Sequence, residues 1–298
     1  MGAGAIGGYL GARLAGAGAD VSFVARGKHL AAIRAKGLEV RSPLGDVRVD
    51  PASATDDPGS IGAVDVVLLG TKLYDVEIAS RSIAPLVGPE TAIVCLQNGV
   101  DAPAIVASIH GPTHVVGGVV MINGEIVAPG VIRHNALTRL TPGEWDGPRS
   151  ARLERLAART GAAGIETALS PDIRLDMWRK FLLLAPMAAV SALTRLPLGR
   201  FRDQAETWRL VERGMCEVVA VAKAEGVGLG DEDVQRTLAL AASMPATWKA
   251  SLTVDLEQGR RLEVDWLSGA VCRLGRRAGI ATPFHEVALG VLKPYVGG

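Results

Sequence analysis

Three glycines near the start of the chain have the spacing of a phosphate-binding turn. Gly2, Gly4 and Gly7 form the pattern G-x-G-x-x-G, in which Ala5 and Ile6 separate the last two glycines. The first glycine of such a turn permits a tight bend, the second lets the backbone approach a pyrophosphate, and the third lets a helix pack on a strand. The N-terminus of that helix adds free N–H groups and a positive dipole end. The pattern predicts a dinucleotide site, and a helix start without a ligand is the alternative.

Arg26 stands at the end of the next apolar segment, Val21–Arg26. Dinucleotide-binding folds commonly place an Asp or Glu about 20 residues after the glycines, where it holds the ribose 2′-hydroxyl of NAD. A carboxylate repels a 2′-phosphate, whereas a guanidinium pairs with it through a fork of N–H groups. We therefore predict NADP rather than NAD as the cofactor. A solvated arginine at a strand end is the alternative.

Lys72 and Asn98 follow two further apolar segments, 64–69 and 92–96, that are typical of buried strands. Ligands of parallel sheets lie beyond the carboxyl ends of the strands, so both side chains are candidates for ligand contact. Asn-Gly is also a hairpin signal. The segment that follows, 102–109, has a helical pattern instead. Structural roles for both residues stay open.

Lys180 leads directly into the strongly apolar segment Phe181–Leu193. An ammonium group in such surroundings loses hydration, so its pKa falls toward the range of a useful proton donor. The alternative is a lysine whose charged end reaches solvent at a helix bend near Pro186. The sequence leaves these two interpretations equal.

Two later segments carry polar side chains on predicted helices. Ser251 and Asp255 are four residues apart on a helix predicted over 248–257, so they share one face. Glu263 lies in the first turn of a helix predicted over 262–279. Acidic residues are common at that position because they interact favourably with the helix dipole. By itself, this position does not assign a function to Glu263.

The order of the elements indicates an α/β fold followed by an all-α domain. In the first half, strands and helices alternate, which favours a parallel, doubly wound sheet of the Rossmann type. Only Met1 precedes the first glycine, so the first strand of that sheet is expected to be truncated. From Ser170 onward the pattern is helical. We predict an NADP-binding domain over residues 1–169 and a helical substrate domain over residues 170–298.

Local signals give three more expectations. A helix is predicted to include Ile83–Val87. Turn signals at Asn123-Gly124 and Pro129-Gly130 predict three short antiparallel strands. Ser170 is expected to cap a helix that extends to Leu193. The three predicted strands are Val115–Met121, Glu125–His134 and Leu137–Leu140.

The composition is that of a globular protein and argues against several other classes. The chain has 298 residues, is 48% apolar and carries a net charge of +1, which argues against a nucleic-acid partner. Its three cysteines are far apart, and its histidines lack metal-ligand spacing, so neither a disulfide framework nor a zinc site is expected. The longest apolar run is too short to span a bilayer. We expect a soluble, cytoplasmic protein without a membrane partner.

Taken together, these segments resemble the ketopantoate reductase (2-dehydropantoate 2-reductase) family over essentially the full chain. The family reduces a 2-oxo acid to a 2-hydroxy acid with NADPH, on the pantothenate route to coenzyme A. This cofactor agrees with the prediction from the strand end. The matching segments are GAGAIGG at Gly2–Gly8, Arg26, Thr71-Lys72, Gln97-Asn98-Gly99, Met177–Lys180, Ser251 with Asp255, and Leu262–Gly269.

The resemblance also implies roles for individual residues. Lys180 is the general acid that protonates the carbonyl oxygen, and Glu263 holds the substrate hydroxyl and Lys180. Asn98 and Ser251 contact the substrate, and Asn98 also lies near the nicotinamide. Lys72 orients substrate or cofactor.

The chain departs from the family where substrate-facing asparagines are common. Leu184 and Ala188 occupy two of these positions, on the same helix face as Lys180, and Leu198 occupies a third. A pocket with fewer amides binds a polar acid less well, by about 1 kcal/mol for each lost hydrogen bond. The substrate is therefore ketopantoate or, alternatively, a more apolar 2-oxo acid, ketone or imine. A non-catalytic NADP-binding sensor is a further alternative, and a homodimer is one candidate for the oligomeric state.

Overall fold

The computed structural model describes all residues from 1 to 298, which form two compact units. The first unit contains residues 1–97 and 102–173. The second contains residues 174–298 together with the short segment 98–101. None of the helices is both long enough and apolar enough to cross a membrane.

The first unit has five helices and nine strands. The helices are α1 (Ala5–Gly16), α2 (Gly27–Lys36), α3 (Val76–Ser82), α4 (Ala102–His110) and α5 (Ala151–Ala162). The strands are β1 (Ser22–Val24), β2 (Leu38–Arg41), β3 (Val47–Val49), β4 (Ser53–Thr55), β5 (Val64–Leu69), β6 (Val87–Cys95), β7 (Val115–Ala128), β8 (Val131–Glu144) and β9 (Glu166–Thr167).

The strands form one large sheet and one small one. In the large sheet the order is β3-β2-β8-β7-β6-β5, and β9 pairs with β8. Strands β5, β6 and β7 are parallel to one another, whereas β7 and β8 form an antiparallel hairpin. The small sheet consists of β1 and β4, which are parallel. The α/β class with a doubly wound element order is confirmed.

Residues Met1–Ala3 connect the two sheets through backbone hydrogen bonds. The N-terminal amine of Met1 donates to Leu68 O at 2.9 Å, and Gly70 N donates to Met1 O at 2.9 Å. On the other side, the N–H groups of Gly2 and Ala3 both donate to Val24 O. The segment therefore takes the place of a central strand between β1 and β5, although it is too short to join them into one sheet.

Several local expectations were wrong. The segment Ile83–Val87 lies after α3 and leads into β6, so Gly88 and Pro89 lie inside a strand instead of ending a helix. Residues Val115–Glu144 form one long hairpin rather than three short strands. The register shifts around Asn123 and Gly124, so these residues mark a bulge and only Pro129-Gly130 forms the turn.

The second unit consists of helices. They are α6 (Ile173–Thr194), α7 (Leu198–Arg202), α8 (Ala205–Ala224), α9 (Asp231–Ser243), α10 (Ser251–Glu257), α11 (Ser268–Ala278) and α12 (Pro283–Leu292). Helix α6 begins at Ile173, so Ser170 does not cap it directly. The Ser170 hydroxyl instead accepts a hydrogen bond from Asp172 N at 3.2 Å.

The segment 98–101 belongs to the second unit because of two contacts. Val100 is buried within its apolar core, together with side chains of α6 and α8. Asp101 accepts two hydrogen bonds of 2.8 Å from the guanidinium of Arg273 on α11. Asn98, at the beginning of this segment, is therefore placed with the helices.

A buried histidine links three helices of the second unit. His285 on α12 is fully buried, and in its neutral form Nε2–H donates to Gly214 O on α8 at 3.2 Å. Its Nδ1 lies 3.1 Å from the hydroxyl of Ser268 on α11, which can donate to it. Burial lowers the pKa of His285 from its usual 6.5 to about 4, and the bond to Gly214 opposes this shift.

We expect the helical unit to lose stability as the pH falls from about 6.5 to about 4. The unfolded chain takes up a proton on His285 over this range, whereas the folded ring stays neutral, so unfolding is favoured by about 3 kcal/mol at the acid end. Urea unfolding monitored by tryptophan fluorescence at pH 7 and pH 4.5 measures this loss. The signal is suitable because four of the five tryptophans lie in the helical unit.

His285→Gln provides the matched variant for this measurement. Its amide N–H can still donate toward Gly214 O, but it does not titrate. Its stability should therefore depend less steeply on pH than that of the wild type. If the free energy of unfolding depended equally on pH in both proteins, His285 would not be the source of the loss at low pH.

Candidate functional site

The glycine turn is built from close backbone contacts in the first unit. Gly2 has a φ of +82°, a conformation that side chains disfavour, and it packs against Thr71 after β5. A Cβ on Gly7 would lie 2.3 Å from Gly2 O, so no side chain fits there. By contrast, a Cβ on Gly4 would meet no atom within 4 Å. The turn is therefore closed on the protein side and open at Gly4.

The open side of the turn is also the N-terminus of α1. Gly4 caps this helix without a side chain, and the first turn contains no acidic residue. The first helical bond is from Gly8 N to Gly4 O at 2.7 Å. The N–H groups of Ala5, Ile6 and Gly7 precede it and have no acceptor within the helix. These donors and the helix dipole suit a pyrophosphate, so this part of the chain fits a dinucleotide.

Gln97 joins the carboxyl ends of β5 and β6, and sequence reasoning assigned it no role. Its Nε2 donates to Leu69 O at 2.7 Å and to Thr71 O at 3.2 Å. Its Oε1 and the hydroxyl of Thr71 are buried without a hydrogen-bond partner. Unsatisfied buried polar atoms are costly and rare, so these two can receive hydrogen bonds from a bound ligand. Its position directly before Asn98 at a strand end was the available signal.

Arg26 and Lys72 lie at the two strand ends that flank the glycine turn. Arg26 follows β1, is 77% exposed, and pairs with the carboxylate of Asp75 at 3.1 Å. Lys72 is partly buried and precedes the 3₁₀ turn Leu73–Asp75, which leads into α3. Asp75 was not anticipated, because its partner is 49 residues away in sequence.

Lys180 and Glu263 form an electrostatic pair in the second unit. Lys180 lies on α6, and Glu263 precedes the 3₁₀ turn Val264–Trp266 with only 7% of its surface exposed. Burial lowers the pKa of Lys180 from 10.5 to about 8, and the negative charge of Glu263 opposes this shift. The apolar surroundings expected from the sequence thus produce an ammonium group that can release its proton near neutral pH.

The remaining predicted substrate residues differ in how much surface they present. Asn98 is partly exposed, and Ser251 is exposed at the first position of α10. Leu184, one turn after Lys180, is partly buried, whereas Ala188 and Leu198 are 1% and 0% exposed within the helical core. Direct contact of Ala188 with a substrate stays a prediction, and Leu184 offers more surface for it.

The predicted residues fall into two groups according to unit. The turn residues Gly2–Gly7, Arg26 and Lys72 lie in the first unit, and Lys180 with Glu263 lies in the second. Two family matches cover these units: "Ketopantoate reductase PanE/ApbA" over residues 1–147 and "Ketopantoate reductase PanE/ApbA C terminal" over residues 172–296. The chain belongs to the ketopantoate reductase family.

Individual relatives agree with this membership. A 2-dehydropantoate 2-reductase from Mesorhizobium japonicum is 36% identical over 98% of this chain and 95% of its own length. The crystal structure of a PanE/ApbA family ketopantoate reductase from Ralstonia eutropha JMP134 is 33% identical, covers 99% of this chain and 96% of its own, and has a TM-score of 0.91. D-mandelate dehydrogenase in complex with NADH and anilino(oxo)acetate shares the fold, with a TM-score of 0.91 at 22% identity, over 99% of this chain and 96% of its own.

Membership in the ketopantoate reductase family defines the reaction class. The protein is an oxidoreductase acting on a CH–OH group with a nicotinamide dinucleotide. The glycine turn, the unsatisfied N–H groups of α1 and the buried acceptors near Gln97 are consistent with this cofactor class.

The contrast between Gly4 and Gly7 gives a testable prediction. Gly4→Ala should change the free energy of unfolding by no more than about 1 kcal/mol, because its Cβ meets no protein atom. The same methyl group blocks close approach of a pyrophosphate, so NADPH should bind at least about tenfold more weakly. Calorimetric titration with NADPH and thermal unfolding measure the two effects.

Gly7→Ala is the matched comparison for this experiment. Its Cβ would collide with Gly2 O, so we expect a loss of stability of about 2 kcal/mol or more. If Gly4→Ala bound NADPH as tightly as the wild type, the pyrophosphate would have to lie elsewhere.

Proposed function

We propose that the protein reduces 2-dehydropantoate to (R)-pantoate with NADPH, on the pantothenate route to coenzyme A. The observation that supports this proposal best is Lys180, whose pKa of about 8 makes it a proton donor under physiological conditions. The name of the Mesorhizobium japonicum relative supports the choice of substrate. We also propose that the protein acts in the cytoplasm on this small acid, and a homodimer remains one candidate assembly.

Lys180 supplies the acid catalysis of the proposed reaction. A nicotinamide dinucleotide held at the glycine turn would supply the hydride that the carbonyl carbon of the substrate accepts. Negative charge then develops on the carbonyl oxygen, and the ammonium of Lys180 stabilises this charge and donates a proton from Nζ. The neutral amine afterwards recovers a proton from solvent, which is favourable below a pH of about 8.

Glu263 keeps Lys180 in the state that the reaction needs. Burial alone favours the neutral amine, which can neither stabilise an oxyanion nor protonate it. The buried carboxylate of Glu263 raises the pKa of Lys180 against this effect. By family resemblance, Glu263 also holds the substrate hydroxyl, while Asn98 and Ser251 contact the substrate.

Arg26 supports NADPH as the cofactor. Its guanidinium is 77% exposed at the end of β1, where an adenosine ribose lies in dinucleotide folds. A guanidinium forms charge-assisted hydrogen bonds with a phosphate that it cannot form with a neutral hydroxyl. By resemblance, Lys72 and Asn98 orient the nicotinamide half of the cofactor or the substrate.

A more apolar 2-oxo acid is the second candidate substrate. Leu184 lies one turn after Lys180 on α6 and keeps part of its surface exposed. An apolar leucine side chain at this position favours a substrate with an apolar substituent over ketopantoate, which carries polar groups. An NADPH-oxidation screen with ketopantoate and bulkier 2-oxo acids separates the two candidates.

The pairing of Lys180 with Glu263 argues against a non-catalytic sensor, because such a protein needs no tuned proton donor.

Lys180→Ala should reduce turnover by about 100-fold or more, because it removes the proton donor and the positive charge near the oxyanion. NADPH affinity should stay nearly unchanged, because the turn and the predicted 2′-phosphate ligand lie in the first unit. Steady-state rates of NADPH oxidation and a separate binding titration measure the two quantities. A variant with wild-type turnover would remove Lys180 from the mechanism.

The pH profile tests the same assignment independently. Because the protonated amine is the active form, kcat for reduction should fall as the pH rises through about 8. Glu263→Gln removes the charge that raises this pKa, so the fall should occur at lower pH. Glu257→Gln is a matched control, since Glu257 pairs with Lys249 at the surface of the same unit. If kcat of Glu263→Gln falls at the same pH as kcat of the wild type, the result contradicts the pairing of Glu263 with Lys180.

Arg26→Ala should weaken NADPH binding far more than NADH binding, by about tenfold or more, because only NADPH carries the 2′-phosphate. Fluorescence titration with each dinucleotide measures the two dissociation constants. Equal losses for both cofactors would refute the assignment of Arg26 to the 2′-phosphate.

A further inference from the structure

Asp75 places a carboxylate on the arginine proposed to bind the 2′-phosphate. Its Oδ2 lies 3.1 Å from an Nη2 of Arg26, and its side chain is 29% exposed, compared with 77% for Arg26. Asp75 is also the N-cap residue of α3, yet its side chain does not bond to the N–H groups of that helix. Aspartate usually caps a helix at this position. Here its carboxylate is turned toward Arg26 instead.

Backbone contacts place both residues beside the glycine turn. Arg26 follows Val24 by two residues, and Val24 O accepts hydrogen bonds from Gly2 and Ala3. On the other side, Gly70 N donates to Met1 O, and the chain continues through Lys72 to Asp75, whose N–H donates to Lys72 O at 2.9 Å. The Arg26–Asp75 ion pair therefore connects the two strand ends that flank the turn.

We propose that Asp75 is a specificity-determining residue that limits the preference for NADPH over NADH. A 2′-phosphate that pairs with Arg26 must displace Asp75 or share the guanidinium with it. The 2′-hydroxyl of NADH, which has no charge to be repelled, can donate a hydrogen bond to the same carboxylate. This inference rests on the proposed role of Arg26. Arg26 favours NADPH, whereas Asp75 disfavours it.

The charges of Arg26 and Asp75 indicate that Asp75 competes with the 2′-phosphate for Arg26 and does not support its binding. Two oxyanions that share one guanidinium lie within roughly 6 Å of each other, so a carboxylate and a phosphate repel there. Arg26 is largely exposed and Asp75 partly exposed, so salt screens this repulsion and its effect on NADPH binding is about three- to tenfold. A carboxylate is at the same time the usual ligand of an NAD ribose. Asp75 thus weakens the binding of NADPH and favours the binding of NADH.

Asp75→Asn is the decisive variant. It removes the negative charge with little change in shape, and asparagine is a good N-cap residue, so α3 should still form. We expect NADPH to bind about three- to tenfold more tightly and NADH to bind equally or somewhat more weakly. The ratio of the dissociation constants of NADH and NADPH should therefore rise at least about threefold at low salt, and less at high salt.

Glu77→Gln is the matched control for this change of charge. Glu77 lies two residues further along on α3 and pairs with Arg81 at 3.0 Å, in an ion pair that is also exposed. The variant removes one negative charge from the same helix but leaves Arg26 paired. The ratio of dissociation constants should stay within about twofold of the wild type.

Fluorescence titration with NADPH and NADH, without substrate, decides between the outcomes. Weaker NADPH binding in Asp75→Asn would mean that Asp75 only orients Arg26, and would overturn the proposal. A ratio that matches the wild type would overturn it as well.

The same titrations separate this inference from the proposed function. Equal binding of both cofactors by the wild type would remove the NADPH preference, but the response of Asp75→Asn would still decide the role of Asp75. Substrate identity does not affect either result, because no turnover is measured.

Discussion

The proposed chemistry depends on the balance between burial and charge at one amine. Burial in the helical unit lowers the pKa of Lys180 from 10.5 to about 8, which amounts to a bias of about 3 kcal/mol toward the neutral form. Without the carboxylate of Glu263 this bias would be larger, because the negative charge of Glu263 raises the pKa of Lys180. Glu263 is itself buried, so its field is screened less than that of a surface carboxylate. The acid–base function therefore comes from two residues and not from Lys180 alone.

The proposed cofactor site depends on different interactions, because it is made mainly of backbone groups. Four hydrogen bonds from Met1–Ala3 hold the turn between β1 and β5, and contacts with Thr71 and within the turn exclude side chains at Gly2 and Gly7. This rigidity leaves the N–H groups of α1 in place before any ligand arrives. Preorganised donors lower the cost of binding, since little conformational freedom is lost.

Local signals predicted the parts of the fold that local chemistry determines. Strand β5 has the bounds of the predicted segment 64–69, and α4 covers the segment 102–109 that has a helical pattern. The hairpin of β7 and β8 was misjudged because Asn123-Gly124 is a strong turn signal that the sheet accommodates as a bulge. Gln97 and Asp75 were missed for a related reason: their hydrogen bonds join segments 26 to 49 residues apart, which no short pattern records. The burial of Ala188 and Leu198 likewise depends on packing between helices.

Glu263 and Asp75 show that the effect of a carboxylate depends on whether the neighbouring cation can titrate. Glu263 is 7% exposed, and its charge helps the buried amine of Lys180 to keep a proton. Asp75 pairs with the guanidinium of Arg26 at 3.1 Å, and the charge of an arginine in a protein is permanent. Its effect must instead fall on whatever anion approaches the guanidinium from solvent. In the proposed function, Glu263 therefore tunes the proton donor, whereas Asp75 tunes the choice of cofactor.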